Sequence, residues 1–426
     1  MLITAPPGTK DLLPEKSAIW QRLEATIREV CRQAAYQEIR TPIFEQTELF
    51  ARGIGETSDI VEKEMYTFTD RGNRSLTLRP EGTASTVRAY LENKLYAAAL
   101  NPLKVYYIGP MFRCEKPQAG RFHQFHQFGV EALGSQRAAL DAEIISLALL
   151  FFQRLGLQDL ILHLNSVGCP TCRPRYRQEL QAFFRDKFSK LCPNCQSRFE
   201  RNPLRILDCK NKECSKLAQG APEMLNSLCD ECGTHFTQLK SLLKTAGLEF
   251  QINPRLVRGL DYYTKTAFEI QYPPLGAQSA ICGGGRYDGL VAECGGENTP
   301  AIGFAIGLER TLIALEKQNA LPSAAISLDV FLAPLTPEAT EMAFKLLYEL
   351  RQNKISADMD YLGRSLKAQL RYANKYPAKY VAVIGEEELA AGQVNLKNMS
   401  TGEQEAVGAA KLKDFLLGTL GEENFL

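Results

Sequence analysis

The segment from Tyr106 to Glu131 constrains the fold most strongly, because it is patterned as a long β-hairpin. An apolar run ends near Arg113, a loop rich in cations and aromatic rings follows, and a second apolar run ends in a carboxylate at Glu131. Guanidinium groups and flat aromatic faces suit a phosphorylated ligand that carries a ring, such as a nucleotide. An exposed hairpin whose charges keep a sheet edge soluble has the same composition. The hairpin alone therefore leaves both interpretations open.

The remaining strand-like segments occur in groups, joined by turns and helices of uneven length. Apolar residues recur with helical spacing over residues 16–36, 82–98 and 138–155, which predicts helices there. This arrangement favours an α+β fold, in which an antiparallel sheet is flanked by helices, over a regular strand–helix alternation. We expect this domain to cover residues 1–325. Strands and helices alternate over residues 326–426, which predicts a compact α/β domain with a mixed sheet.

Bulk composition limits the classes of partner. Fifty basic and forty-nine acidic residues in a chain of 426 give a net charge of +1, so any nucleic-acid surface must be a local patch. The longest apolar run, Ile144–Phe152, is too short to span a bilayer. The N-terminal residues lack the charged-then-apolar pattern of a signal peptide. We expect a cytoplasmic protein that does not contact a membrane.

Eight of the twelve cysteines fall between residues 168 and 240, which predicts an inserted cysteine-rich subdomain. They form four pairs: Cys169 with Cys172, Cys192 with Cys195, Cys209 with Cys214, and Cys229 with Cys232. This spacing is typical of tetrahedral structural zinc, and eight thiols would fill two sites. Reduced thiols without metal, in a ribbon held by packing, are the alternative. Disulfides suit a cytosolic chain less well. The remaining cysteines are expected to be free, and His235 is expected at the surface.

Six segments, in chain order, resemble the histidyl-tRNA synthetase family of class II aminoacyl-tRNA synthetases, and the hairpin resembles motif 2 of that class. The segments are Pro6–Pro14, Thr41–Tyr66, Leu78–Ser85, Leu256–Ile270, Cys282–Val291 and Gly303–Arg310. The resemblance implies a class II catalytic domain and a C-terminal anticodon-binding domain. It implies ATP-dependent ligation of L-histidine to its tRNA through a histidyl-adenylate, with Mg²⁺ bound to ATP and with release of AMP and pyrophosphate. It also implies a homodimer formed through Thr41–Tyr66.

The resemblance further implies a role for individual residues. The catalytic residues are Arg258 and Arg113. The ATP-binding residues are Arg113, Glu115, Phe125 and Arg310. The histidine-binding residues are Glu81, Thr83, Gln127, Glu131, Tyr262, Tyr263 and Tyr287. The tRNA-binding residues are Gln118 and Arg121 in the hairpin loop and Lys367, Arg371 and Lys375 on a predicted helix.

General chemistry supports these roles but leaves alternatives open. Adenylate formation brings a carboxylate to a phosphate, and a guanidinium holds both anions without losing its proton. Arg258 is otherwise a surface residue before a turn, and Arg310 a solvated helical arginine. A ring with one donor and one acceptor is recognised by a carboxylate and a phenol, whereas Glu81 to Thr83 is also a common helix start. The glycines of residues 283–285 line the amino-acid pocket or form a tight turn. The basic stripe formed by Lys367, Arg371 and Lys375 on one helix contacts tRNA phosphates or is a solvated face.

Three positions depart from the family pattern in the hairpin loop, namely Cys114, Lys116 and His123. A lysine keeps charge but loses the bidentate fork of arginine, so these positions affect the grip on the tRNA acceptor end rather than adenylate formation. Two other functions remain open. One is the histidine-sensing regulatory paralogue of ATP phosphoribosyltransferase, which typically lacks the C-terminal domain and the catalytic arginine. The other is a class II synthetase for a different amino acid.

Overall fold

The computed structural model describes residues 2–55, 58, 60–97, 100–115, 120–321 and 328–420. The chain divides into two compact units. The larger comprises Met1–Leu13 and Trp20–Pro322, and the smaller comprises Pro14–Ile19 and Ser323–Leu426. Among the described residues, no helix combines the length and apolar character needed to cross a membrane.

The larger unit contains two β-sheets, and the larger of them is mostly antiparallel. Its strands are β1 (Gln37–Glu38), β2 (Phe44–Gln46), β3 (Tyr66–Thr69), β4 (Ser75–Leu78), β5 (Leu103–Phe112), β6 (Gln124–Leu133), β7 (Ile161–Ser166), β8 (Gln251–Ile252), β9 (Thr264–Gln271), β10 (Ala280–Arg286) and β11 (Ala301–Gly307). Eight of them form one sheet in the order β1-β5-β6-β11-β10-β9-β7-β8, and a smaller sheet has the order β2-β4-β3. In the large sheet only the outermost pairs, β1 with β5 and β7 with β8, are parallel.

Helices accompany this sheet, as the α+β prediction requires. They are α1 (Pro14–Gln33), α2 (Thr47–Ile54), α3 (Thr83–Glu92), α4 (Ala138–Arg154), α5 (Arg173–Arg185), α6 (Pro193–Arg201), α7 (Lys212–Leu217), α8 (Asp230–Thr245), α9 (Leu290–Glu293) and α10 (Leu308–Lys317). The apolar face of α4 packs on the sheet, where the Phe151 ring lies 5.2 Å from the ring of Phe128 on β6. The predicted fold class is thus confirmed.

The predicted hairpin is the β5–β6 pair, in register from Leu103 opposite Leu133 to Phe112 opposite Gln124. It lies inside the sheet, between β1 and β11. Because strand side chains alternate between faces, Gln127, Gly129 and Glu131 share one face. The hairpin therefore brings a row of β6 side chains to the same face of the central sheet.

The cysteine-rich insert, residues 169–245, separates β7 from β8 and contains α5 to α8. Its small core joins Tyr176, Leu180 and Phe184 to the cysteine side chains. Helix α8 runs to Thr245, past the expected end of the insert, because Leu239 and other apolar residues on its later turns pack into the core of the larger unit. The insert is thus anchored to the sheet through one helix.

The smaller unit has a mixed sheet, in agreement with the prediction. Its strands are β12 (Val330–Pro334), β13 (Ala357–Met359), β14 (Tyr380–Ile384), β15 (Gln393–Asn398) and β16 (Gln404–Gly408), and its helices are α11 (Pro337–Gln352), α12 (Leu366–Lys375), α13 (Glu386–Ala391) and α14 (Leu412–Leu420). The strand order is β13-β12-β14-β15-β16, with β12 parallel to both neighbours. Thr336 caps α11 by accepting the Ala339 N–H at 3.1 Å, ahead of a proline at the first helical position.

Candidate active site

A cavity of about 180 Å³ brings together three guanidinium groups that are far apart in the sequence, those of Arg113, Arg258 and Arg310. Arg113 follows β5, Arg258 lies in the loop before β9, and Arg310 is in the first turn of α10. The predicted residues Glu115, Phe125 and Gln127 also line this cavity. A concave site with several fixed cations suits a polyphosphate.

Arg113 is held in place from two sides. Its Nε donates to the Pro80 carbonyl at 2.8 Å, and its guanidinium carbon lies 5.2 Å from the centre of the Phe125 ring. Glu115 Oε1 is 3.7 Å from Arg113 Nη1, and the same carboxylate binds Arg121. Arg121, predicted from the sequence to contact tRNA, therefore lies in the wall of the cavity as well.

Arg258 is largely buried, with its side chain 20% exposed, and it is paired with a carboxylate, so the alternative of a solvated surface arginine is wrong. Its Nη1 donates to Glu269 Oε2 on β9 at 2.7 Å. Burial opposes the charge, but Glu269 outweighs it and raises the pKa of Arg258. A Cβ at Gly283 would lie only 1.8 Å from Arg258 Nη2. The guanidinium thus passes over a part of β10 that must lack side chains.

The glycine cluster at residues 283–285 is consequently not a tight turn. These glycines form the interior of β10, paired with β9 and β11. A Cβ at Gly284 would lie 2.4 Å from the Gly303 carbonyl oxygen and 2.6 Å from the Phe268 ring. The tight-turn alternative is therefore wrong, and in this strand the glycines leave space for neighbouring groups such as the Arg258 guanidinium.

Arg310 lies beside another cation. Its Nη2 donates to the Gln278 carbonyl, and burial, followed by the neighbouring Arg121, lowers its pKa. An anion in the cavity would relieve this repulsion, because it would offset both desolvation and like charge. The structure thus places Arg310 at a site suited to phosphate rather than on a solvated helix face.

A buried carboxylate, Glu131, lies four residues along β6 from Gln127. Its Oε1 accepts from Thr83 Oγ1 at 2.7 Å, and its Oε2 accepts from the Tyr287 hydroxyl. Burial raises the pKa of Glu131 to about 8 despite these hydrogen bonds. The Tyr107 hydroxyl lies 3.5 Å from Oε1. Glu131 is therefore surrounded by hydroxyl groups, and its burial strongly disfavours the ionised form.

Aromatic rings surround this carboxylate. The Tyr262 ring centre lies 4.7 Å from that of Tyr263 and 5.7 Å from that of Tyr287, and all three are buried. The sequence analysis missed Tyr107, whose ring occupies the space that a Cβ at Gly129 would need, 2.0 Å away. The signal was available, because Gly129 is the only glycine of β6 and faces Tyr107 in the hairpin register.

Two other predicted residues adjoin this group. Glu81 accepts the backbone N–H of Thr83 at 2.6 Å and that of Ala84 at 2.9 Å, so the helix-start interpretation of this segment is correct. Gln127 Oε1 is buried and has no hydrogen-bond partner among the described residues. A buried acceptor without a hydrogen bond lowers the free energy of unfolding, unless a donor group of a ligand reaches it.

Some predicted residues lie elsewhere. Lys367, Arg371 and Lys375 form an exposed stripe on α12 of the smaller unit, and Gln118 and Lys116 fall outside the described residues. Of the other loop departures, His123 Nε2 hydrogen-bonds to the Glu115 carbonyl at 2.9 Å, and Cys114 is exposed.

The eight cysteines of the insert form two clusters in a nested order. The outer cluster joins the first and last pairs, Cys169, Cys172, Cys229 and Cys232, and the inner cluster joins the middle pairs, Cys192, Cys195, Cys209 and Cys214; within each, the sulfurs all lie within 4.8 Å of one another. His235 is not at the surface as expected. It is 7% exposed, and its Nε2 lies 2.8 Å from Asp141 Oδ2.

Comparisons with known proteins agree with this geometry. The family model described as Histidyl-tRNA synthetase matches residues 8–311, and that described as Anticodon binding domain matches residues 329–419. The chain is 56% identical over 416 residues to a histidine–tRNA ligase of Desulforamulus reducens, covering 98% of this chain and 99% of that protein. It is 57% identical over 415 residues to a histidine–tRNA ligase of Moorella thermoacetica, covering 97% and 98%.

Among solved structures, an apo S. aureus histidyl-tRNA synthetase is 40% identical to this chain, with a TM-score of 0.84. The match covers 97% of this chain and all (100%) of that one. Sequence and fold thus agree over nearly the full length of both chains, and the chain belongs to the histidyl-tRNA synthetase family.

Proposed function

We propose that this chain binds ATP·Mg²⁺ and L-histidine, forms histidyl-adenylate with release of pyrophosphate, and transfers the histidyl group to the 3′ end of its tRNA with release of AMP. The observation that carries the proposal is the convergence of Arg113, Arg258 and Arg310 on one cavity, whose wall includes Gln127 on the strand and face that also carry the buried carboxylate of Glu131. ATP enters as its magnesium complex, so Mg²⁺ is part of the substrate.

Adenylate formation needs no protein nucleophile, because the histidine carboxylate attacks the α-phosphorus and pyrophosphate leaves. The two reactants are both anions, so the main task of the protein is to position them and to stabilise the charge of the transition state. Arg113 and Arg258 perform this task at the α-phosphate and the carboxylate, and Arg310 binds the triphosphate. Glu115 and Phe125 complete the nucleotide site, with Phe125 as a stacking face.

Recognition of the amino acid uses the other end of the site. The Glu131 carboxylate accepts the ring N–H of histidine, and Tyr263, with Tyr262 and Tyr287 beside it, completes the pocket. Gln127, whose carbonyl oxygen is otherwise unpaired, accepts from the α-ammonium group together with Glu81 and Thr83. A ligand without the ring N–H would leave buried groups unpaired, which accounts for selectivity.

Pyrophosphate exchange tests the proposal against the two alternatives. Purified protein with ATP and labelled pyrophosphate should form labelled ATP with histidine and with no other standard amino acid. Exchange with a different amino acid would indicate another class II specificity. Histidine binding without exchange would indicate a regulatory subunit, which is not favoured because the chain has Arg258 and the anticodon-binding domain.

The tRNA contacts are proposed at two places. Arg121 lies in the wall of the cavity, where the acceptor end must arrive. Gln118, which is outside the described residues, is proposed with it from the sequence alone. Lys367, Arg371 and Lys375 present exposed charge at intervals of four residues on α12, and such a stripe fits phosphates of the anticodon stem. Salt-dependent loss of tRNA binding in variants of this stripe would test the second site.

A homodimer is proposed through the region around the small sheet. Phe44 on β2 and Phe68 on β3 are 51% and 44% exposed, and their rings lie 6.3 Å apart. Adjacent exposed aromatic side chains of this kind are typical of a protein interface rather than of a solvated surface. Sedimentation velocity would detect the dimer and its loss on Phe44→Asp.

Structural zinc is proposed for both cysteine clusters, because the sulfurs have the spacing that zinc requires. A Zn–S distance of about 2.3 Å puts sulfurs of a tetrahedral site about 3.8 Å apart. Cys169 Sγ lies 3.6 Å from Cys172 Sγ and 3.8 Å from Cys229 Sγ, and Cys192 Sγ lies 3.8 Å from Cys209 Sγ.

Backbone N–H groups also point at the sulfurs, as expected for thiolate ligands. Cys229 N donates to Cys172 Sγ at 3.1 Å, and Cys192 N donates to Cys214 Sγ at 3.2 Å. The donor set therefore fits Zn²⁺, which would fix the fold of the insert.

A further inference from the structure

The cysteine-rich insert reaches the loop that carries the proposed catalytic arginine. This loop, residues 258–263, is called the catalytic loop here. Arg205 Nη1, from the insert, donates to the backbone carbonyl of Arg258 at 2.6 Å. Arg173 Nη2, also from the insert, donates to the backbone carbonyl of Tyr263. The two ends of the catalytic loop are thus each bound by an arginine from outside it.

A third contact holds the middle of the loop. Asn202 Nδ2 donates to Asp261 Oδ1 at 2.9 Å. Arg205 is 6% exposed, so its hydrogen bond is protected from water and worth more than a surface contact. These three donors contact the segment in which Arg258 and Tyr263 project into the candidate active site.

The donors lie beside the cysteine clusters. Arg173 directly follows Cys172 of the outer cluster. Asn202 and Arg205 lie in the short segment between the end of α6 and Cys209. Cys192, directly before α6, and Cys209 are both members of the inner cluster. Whatever fixes the cysteines therefore fixes the chain segments from which these side chains extend.

A second set of contacts links the outer cluster to Tyr287 of the histidine pocket. Helix α8 begins directly after Cys229, and its His235 binds Asp141, which in turn accepts from Arg286 Nη1 at 2.5 Å. Arg286 precedes Tyr287, whose hydroxyl binds Glu131. The insert thus supports both chain segments that flank the pocket.

We propose that Arg205 and Arg173 are positioning residues for adenylate formation, which hold the catalytic loop by its carbonyls and couple its order to the two cysteine clusters. This inference rests on the proposed function. Arg258 acts on charge that develops in the transition state, so a displaced loop lowers kcat more than it raises the KM for ATP.

The test compares Arg205→Met, which keeps the methylene stem and removes the donor, with Arg175→Ala. Arg175 lies on α5 with its side chain 76% exposed and pairs with Glu179 on the same helix, so it is a matched control within the insert. Arg205→Met should lower kcat of histidine-dependent pyrophosphate exchange at least about tenfold, which corresponds to about 1.4 kcal/mol and so to a buried hydrogen bond from a charged group. The KM for ATP should change less than about twofold, Arg205→Lys should recover part of the rate, and Arg175→Ala should match the parent chain.

Hydrogen–deuterium exchange gives a readout that does not depend on activity. Peptides covering the catalytic loop should exchange faster in Arg205→Met, and in the parent chain after its metal is removed by a chelator, than in Arg175→Ala. Equal kcat in Arg205→Met and Arg175→Ala, or unchanged loop exchange in Arg205→Met, would overturn the inference.

If circular dichroism shows that Arg205→Met does not fold, Arg173→Met replaces it, and an unchanged kcat and loop exchange in that variant would overturn the inference. A parent chain without histidine-dependent exchange would refute the proposed function instead. The deuterium measurement would still test whether the insert holds the loop.

Discussion

Replacement of Glu131 by glutamine tests the electrostatics of the histidine pocket most quantitatively. Burial raises the pKa of Glu131 from 4.5 to about 8. The unfolded chain releases this proton near pH 4.5 and the folded chain only near pH 8, so folding becomes less favourable as the pH rises between these values and is constant above them. At about 1.4 kcal/mol per pH unit, the full penalty is on the order of 5 kcal/mol. Glutamine, which does not ionise, removes it.

The thermal melting temperature should therefore diverge between the parent chain and Glu131→Gln as the pH rises. From pH 6 to pH 8 the free energy of unfolding should change by about 2 kcal/mol in favour of the variant, since the folded group is already half ionised at pH 8. This corresponds to a few degrees in a chain of this size, and the difference should level off above pH 8. Differential scanning calorimetry without ligand measures it, with the exposed Glu405→Gln on β16 as the control. A melting difference that does not vary from pH 6 to pH 9 would refute the reasoning.

Three further predictions concern other parts of the molecule. Arg258→Lys should lower kcat of histidine-dependent exchange by about 10²–10³-fold, because a lysine cannot bridge two anions with a planar fork; a loss below about threefold would contradict the role of Arg258. The purified chain should contain two zinc ions by atomic emission, and Cys195→Ser should remove one of them; a metal-free parent chain in which the eight thiols of the insert titrate as well as the other four would contradict both sites. Arg371→Gln should weaken tRNA binding and reduce its salt dependence by about one phosphate contact, while exchange without tRNA stays unchanged; an unaltered tRNA affinity would exclude the α12 stripe.

The elements that the sequence predicted best are those with strong local signals. Helix α4 covers Ala138–Arg154, nearly all of the predicted helix at 138–155, and the β5–β6 hairpin follows its two apolar runs. Strand β10 was missed, because Gly283, Gly284 and Gly285 have no side chains to show alternation. Their small size is explained only by what lies above them, including Arg258.

Features that depend on pairing between distant segments were beyond the sequence. Nothing local to Glu269 indicates that it binds Arg258, since the pairing arises from the path of the loop across β9 and β10. His235 was wrongly expected at the surface because its partner, Asp141, lies on another helix. The cysteine spacing indicated two sites, but their nested order required the fold of the insert.

The most direct test of the account is a crystal structure with a non-hydrolysable histidyl-adenylate analogue. The account predicts that the α-phosphate mimic lies within hydrogen-bond distance of Arg113 and Arg258, and that the imidazole ring N–H donates to Glu131. An analogue bound with its imidazole away from Glu131, or with its phosphate mimic out of reach of both arginines, would contradict it.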